Sequence, residues 1–259
     1  MDLLREWADW KASEPPFVLE SDQGVLGQAR NDRVVTIRSW RDAFRAADFC
    51  EPQDHRLHLG LLPKPFLGDL RRASIYVLLL NPGVGPHDYY GEYEVAKFRR
   101  ALLANLRQEF ELGSPPFLFL DPQYSWHGGF GWWNGKLAGV IAALAYTWAV
   151  PFAEARTRLA RELASIELVA YNSPSFRDGG RWIQRLQSVA LAQTFVHDTV
   201  LPKVRSGKAI VIAARRAEAW NLPNHRAIIR YSPQEARAAH LSPKSRGGSE
   251  ILRHLGRRV

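Results

Sequence analysis

The chain has 259 residues, 46% hydrophobic and 24% charged, an ordinary globular composition with enough length to bury a sizeable core. Its net charge of +9 favours a polyanionic partner, nucleic acid first and an acidic membrane second. Cys50 is the single cysteine, which excludes an internal disulfide, a cysteine-ligated zinc site and an iron–sulfur cluster held by this chain; the thiol itself reads as a small buried apolar side chain.

In chain order, Met1 to Ala12 is an acidic and aromatic helix pattern, with Leu3, Leu4, Trp7 and Trp10 at helical spacing. It lacks the basic start and apolar run of a targeting segment, so a cytoplasmic protein is expected. Pro15-Pro16 break that helix. Val34 to Ile37 fits a short strand, and Ser39 fits the N-cap of a helix opening at Trp40. Residues 1–60 read as an N-terminal accessory region, and 61–259 as the main domain.

Ile75 to Leu80 is a continuous apolar run, the signature of a strand buried on both faces. It ends at the loop Asn81-Pro82-Gly83-Val84-Gly85-Pro86, and a helix is expected from Val95 to Phe110. Residues 117–135 are rich in aromatics. A buried helix from Lys136 follows, then a charged one over 152–164. The apolar stretch Leu137 to Phe152 is interrupted and too short to span a bilayer. Further strands are expected at Ile166–Tyr171, Ala209–Ala213 and Ala227–Tyr231, with helices over 180–204, through Trp220 and from Ser249 to Leu255. Strands alternating with helices predict an α/β fold: a central four-stranded, mostly parallel sheet flanked by helices. Ligands of such sheets bind at the carboxyl ends of the strands. The polar loops at Asn81, Asn172 and His240 all follow strands.

Three motifs stand in order. Leu80-Asn81-Pro82-Gly83 ends a strand, Tyr171-Asn172 ends another, and His240-Leu241-Ser242-Pro243-Lys244-Ser245 follows the last. Together they resemble the uracil-DNA glycosylase superfamily, closest to its mismatch-specific and single-strand-selective branches, over about residues 65–259. The resemblance implies that fold and an enzyme that hydrolyses the N-glycosidic bond of uracil, or of a related damaged base, flipped out of DNA. It gives Asn81 the attacking water. An amide orients water but cannot take its proton, so slower chemistry is expected than with an aspartate there. His240 would donate a hydrogen bond to uracil O2 as charge develops. Asn172 would read the base edge, donating to O4 and accepting from N3–H. The resemblance also implies Pro82 and Gly83 as base-binding positions of the Asn81 loop. Tyr90 is favoured to stack on the base, over Tyr89, Phe130 and Trp132. Ser242, Pro243, Lys244, Ser245 and Arg246 would contact DNA, with Lys244 in the place of the inserting residue. Arg177, Arg181, Arg253, Arg257 and Arg258 add positive charge.

The sequence also departs from the pattern. Leu241 stands where the family has proline, which is expected to loosen the loop. The motif at His240 comes only after the extra stretch Gln234 to Ala239, so that either the loop is longer than usual or His240 is displaced. These departures keep an alternative open, a weak or inactive nucleic-acid-binding protein of the same fold. A hydrolase of free nucleosides is a third reading. Taken singly, Asn81 and Asn172 also fit turn residues and His240 a surface histidine. His87-Asp88 are adjacent and are expected not to face each other. The histidines show no metal-ligand spacing, so neither a metal nor another cofactor is expected. The expected partner is DNA, single- or double-stranded, bound by a monomer that does not engage a membrane.

Overall fold

The computed structural model describes residues 2–11, 13–46, 51, 53–177 and 182–256. Cys50, Arg181, Arg257 and Arg258, on which expectations above fall, lie outside the described residues. The chain runs through α1 (Leu3–Asp9), α2 (Gln23–Leu26), β1 (Val34–Val35), α3 (Trp40–Arg45), β2 (Leu57–His58) and β3 (Phe66–Leu67). Next come β4 (Ile75–Leu79), α4 (Pro86–Glu94), α5 (Ala96–Arg107), α6 (Gly128–Trp148), α7 (Phe152–Glu162) and β5 (Leu163–Glu167). It ends with α8 (Gln187–Phe195), α9 (Leu201–Arg205), β6 (Ile210–Ala213), β7 (Ile228–Arg230), α10 (Pro233–Ala238) and α11 (Arg246–Gly256). No single described helix is long and apolar enough to cross a membrane.

Two compact units share this chain. The first comprises residues 1–66, 81–109 and 167–195. The boundary drawn at residue 60 therefore coincides with neither unit, and the N-terminal segment is built into a body with later stretches. The reason is a set of buried ties. Trp7 of α1 is fully buried where α1 packs on α5 and α8. Asp22, also fully buried, accepts from the Tyr171 hydroxyl at 2.7 Å and from the Ser188 N–H at 3.1 Å. Ser39 caps α3 as expected, its hydroxyl accepting from the Asp42 N–H at 3.0 Å. In the same unit β1 and β2 pair in parallel, Val34 opposite Leu57.

The second unit comprises residues 67–80, 110–166 and 196–259 and carries a five-stranded sheet in the order β3-β5-β4-β6-β7. (Phe66 of β3 and Glu167 of β5 are the two end residues assigned to the first unit.) The α/β class follows directly from the sequence. The described pairs β4–β6 and β6–β7 are parallel, with Val77 opposite Ile212 and Ile212 opposite Ile229. Every residue of β4 is buried, as its unbroken apolar run requires.

Several boundaries differ from expectation. The sheet has five strands rather than four, because the buried pair Phe66–Leu67 adds β3, too short to show a period of its own. β5 spans Leu163–Glu167 rather than Ile166–Tyr171, since α7 stops at Glu162, so Asn172 lies five residues beyond the strand instead of at its end. α6 starts at Gly128, eight residues before Lys136. Its glycines mask the helix in sequence, yet Gly129 lies under Phe119, and a Cβ there would stand 2.7 Å from the ring. The long helix expected over 180–204 is divided by a π turn at Val196–Val200, with Pro202 in the first turn of α9.

Candidate functional site

In the first unit the chain after β4 turns through Asn81-Pro82-Gly83-Val84-Gly85 into α4. The Ser173 N–H donates to the Pro82 carbonyl at 3.0 Å, joining the Asn81 loop to the Asn172 loop. Asn81 itself is partly exposed, its amide donating to the Pro82 carbonyl at 2.9 Å. Pro82 is partly exposed and Gly83 exposed.

The start of α4 differs from expectation. The sequence placed Pro86 in the loop and the next helix from Val95, but a helix begins at Pro86, whose fixed φ suits the first helical position. Asp88, at the third helical position, turns back and accepts from the Gly85 N–H at 2.8 Å, which also places a negative charge at the positive end of the helix. His87 folds onto the same turn, its Nε2 3.1 Å from Asp88 Oδ2. Adjacent residues in an extended loop seldom meet; these do, because the helical turn bends both side chains back over Gly85. A Cβ at Gly85 would stand 2.3 Å from the His87 ring, so a side chain there would push the imidazole aside.

Behind Asp88 lies a buried ionic network that sequence reasoning missed. Lys64 Nζ donates to Asn172 Oδ1 at 2.8 Å, to Glu92 Oε1 at 2.9 Å and to Asp88 Oδ1 at 3.4 Å. Glu92 Oε2 accepts from the Leu62 N–H at 2.6 Å, and Asn172 Nδ2 donates to the Leu62 carbonyl at 2.9 Å. Burial pulls the Lys64 pKa down, but the Glu92 and Asp88 carboxylates outweigh it and hold the ammonium charged. Burial lifts the Glu92 carboxyl above its ordinary range against the pull of Lys64. A second buried set adjoins through Tyr89: its hydroxyl lies 3.0 Å from His58 Nδ1, and His58 Nε2 lies 3.0 Å from Asp54 Oδ2. Burial raises the Asp54 pKa, yet hydrogen bonds from Arg56 and His58 leave it below the usual carboxylate range.

Asn172 is therefore part of this network. It is fully buried, with its oxygen on Lys64 and its nitrogen on Leu62, so its orientation is fixed. It meets a base edge only if the residues covering it open. Tyr90 is exposed and stands edge-on to Trp40 at 5.8 Å, whereas Tyr89 is buried. Arg177 is exposed.

The second unit holds the other motif. α10 (Pro233–Ala238), with Ala239 as its left-handed C-cap, takes up the extra stretch Gln234 to Ala239. A reciprocal cap opens it: Ser232 N–H donates to Glu235 at 2.8 Å, and Glu235 N–H to Ser232 Oγ at 3.3 Å. His240 follows, exposed, with its carbonyl accepting from the Tyr231 hydroxyl. Leu241 is buried. The Ser242 carbonyl accepts from Ser245 N at 2.9 Å and Ser245 Oγ at 2.8 Å. Ser245 Oγ in turn accepts from the Gly248 N–H at 3.1 Å, capping α11, which starts at Arg246 rather than Ser249. Pro243 packs on Gly139 of α6, where a Cβ would stand 2.8 Å from the proline ring. Lys244 and Arg246 are exposed at this turn; Arg246 donates to the Arg230 carbonyl at 2.9 Å and lies 3.4 Å from Glu235. Of the other stacking candidates, Trp132 is half-exposed, and the Arg156 guanidinium lies 5.9 Å over the Phe130 ring.

The structure thus brings Asn81, Pro82, Gly83 and Asn172 together in the first unit and His240 with Ser242 to Arg246 in the second. No protein family, no curated protein and no solved structure matches this chain.

Proposed function

We propose that the chain is a DNA glycosylase of the uracil-DNA glycosylase type, acting on uracil or a related base, with β5-β4-β6-β7 as its core sheet and β3 as an added edge. The observation that carries the reading is the Ser173–Pro82 hydrogen bond, which ties together the loops bearing two of the three motifs. Asn81 orients the attacking water. The turn from Ser242 to Arg246 supports the same reading, since a hydrogen-bonded turn with outward cations suits phosphate contacts.

The direct experiment is incubation with a uracil-containing oligonucleotide followed by alkali. Strand breakage at uracil is expected for the unaltered protein, falling by about 100-fold or more in Asn81→Ala, because positioning water accounts for that order of rate. Intact strands with the unaltered protein, on uracil and on a panel of damaged bases, overturn the reading.

The alternative, a nucleic-acid-binding protein without catalysis, is favoured by one observation: the amide of Asn172 is buried and engaged at both ends. Both readings share the DNA partner, which a salt titration tests. The logarithm of affinity should fall linearly with that of salt, and Lys244→Ala should reduce the slope by about one. Arg246→Ala should reduce it by less, because Glu235 already offsets part of that charge. Affinity indifferent to salt would remove nucleic acid as the partner.

A further inference from the structure

We propose that the aromatic and basic face of α3, with Tyr90 of α4, is a platform on which unpaired bases of single-stranded DNA stack; this rests on DNA as the partner, not on catalysis. The surface lies wholly in the first unit. Trp40 and Phe44 stand four residues apart on α3 and so follow one another along one face. Arg41 and Arg45 form the adjoining stripe at the same spacing. The Trp40 ring meets Phe44 edge-on at 5.5 Å and Tyr90 edge-on at 5.8 Å, so the three rings make one cluster. The Arg41 guanidinium lies 5.4 Å over the Trp40 ring. Tyr90, expected from the sequence to stack on the flipped base, is thus one member of a larger surface.

Three observations select the occupant. Phe44 and Tyr90 are 51% and 45% exposed, and large rings clustered in water mark a contact surface where scattered ones do not. The cluster is also set in place. The Trp40 indole N–H donates to Glu94, and Trp40 packs on the buried trio Ala43, Leu61 and Tyr89. A ring already ordered loses little freedom on binding. Charge then decides between a nucleic acid and a protein. No carboxylate among the described residues forms an ion pair with Arg38, Arg41 or Arg45. The acidic neighbours are engaged within the surface, Asp42 accepting from the Ser39 hydroxyl at 2.6 Å and Glu94 from Trp40. The uncompensated charge is positive. Phosphates supply the counter-charge, and their bases supply flat faces for the rings. Duplex DNA fits less well, because its bases are stacked on one another and present only their edges.

The platform adjoins the Asn81 loop. Val84 of that loop packs on the same buried trio as Trp40, and the loop runs directly into α4, which carries Tyr90.

Binding is measured by fluorescence anisotropy at low salt, with labelled oligothymidine, the same strand annealed to its complement, and a base-free phosphodiester of equal length. Phe44→Ala, Phe44→Leu, Phe44→Trp and Arg41→Gln are compared with the unaltered protein, with Tm recorded for each. Phe44→Ala should weaken single-strand binding by about 10-fold, the order of one stacked base, and leave the duplex and the base-free strand unchanged. Phe44→Leu should lose as much, and Phe44→Trp should bind at least as tightly as the unaltered protein. Arg41→Gln should lower the slope of log affinity against log salt by about 0.7 for the single strand. If oligothymidine binds Phe44→Ala as tightly as the unaltered protein, or the unaltered protein binds duplex alone, the platform is not used and DNA remains the partner. Full affinity in Phe44→Leu means an apolar contact rather than stacking and overturns the proposal. So does polyglutamate displacing the oligonucleotide as well as unlabelled oligothymidine does at equal charge, which makes the surface a site for an acidic protein. Should the Phe44 variants lose Tm, the exposed Arg41 carries the test, and an unchanged salt slope in Arg41→Gln overturns the proposal. If no nucleic acid binds at low salt, the DNA reading fails and the proposal falls with it.

Discussion

Replacing Lys64 by methionine should destabilise the protein by about 3–5 kcal/mol, the cost of leaving buried carboxylates without their cation. Lys64 is 3% exposed and is the cation that meets Asp88, Glu92 and Asn172 together. Methionine fills most of its volume, so the loss is electrostatic rather than a cavity. In a chain of this length the change corresponds to a Tm lower by roughly 10 °C. Adding Glu92→Gln to Lys64→Met should recover part of the loss, because it removes one of the uncompensated charges. Glu92→Gln alone should destabilise. The double-mutant cycle from thermal unfolding of the four proteins gives the coupling. Additive single effects would mean that Lys64 and Glu92 do not act as a pair, contrary to their 2.9 Å contact.

That network also shows what the sequence made legible and what it hid. β4 could be read because Ile75 to Leu79 is uninterrupted and apolar, and Ser39 because a cap is a local event. Local signals were present for α10 too, in Ser232 and Glu235 three residues apart, but a motif expected nearby drew that stretch into a loop. The network had no local signal of this kind. Lys64 meets Glu92 across 28 positions and Asn172 across 108, so no window of sequence contains the set. A lone lysine between Pro63 and Pro65 in the apolar run Leu59 to Leu67 is the one hint, since a charge there needs buried partners. The His87–Asp88 contact was invisible for another reason: it depends on α4 starting at Pro86, and the polar residues of that helix give no clear apolar stripe. Asn81 was read correctly as closely following β4, whereas β5 stops at Glu167, five residues before Asn172; the exposure of the two residues, which separates one open to ligand from one locked in the interior, comes from tertiary packing alone.

Gly248→Ala should lower both stability and DNA affinity, although helix propensity argues the opposite. Gly248 lies inside α11, where exchanging glycine for alanine ordinarily stabilises by about 1 kcal/mol. Here a Cβ would stand 1.9 Å from the Ser242 carbonyl oxygen and 2.6 Å from that of Leu241. Both obstacles are backbone, so no side-chain rotation relieves them. Either α11 or the turn must move by about 1 Å or more, and such overpacking costs typically about 1–3 kcal/mol. The turn is the part that can yield, since Ser242 to Ser245 is held chiefly by the capping bonds to Ser245 and Gly248. Its displacement breaks the cap on α11 and carries Lys244 away from its place. The expected result is a Tm lower by several degrees and DNA affinity at low salt reduced by about 10-fold or more, beyond the loss in Lys244→Ala. The neighbouring Gly247→Ala is a useful comparison, because its Cβ would meet the Tyr231 hydroxyl at 2.5 Å, the far end of a side chain rather than backbone. It should cost less than Gly248→Ala in both measurements. If Gly248→Ala instead raises the Tm by the amount helix propensity gives and binds DNA normally, the turn does not depend on this close approach. The cations at Lys244 and Arg246 would then owe their placement to something other than the glycine beneath Ser242.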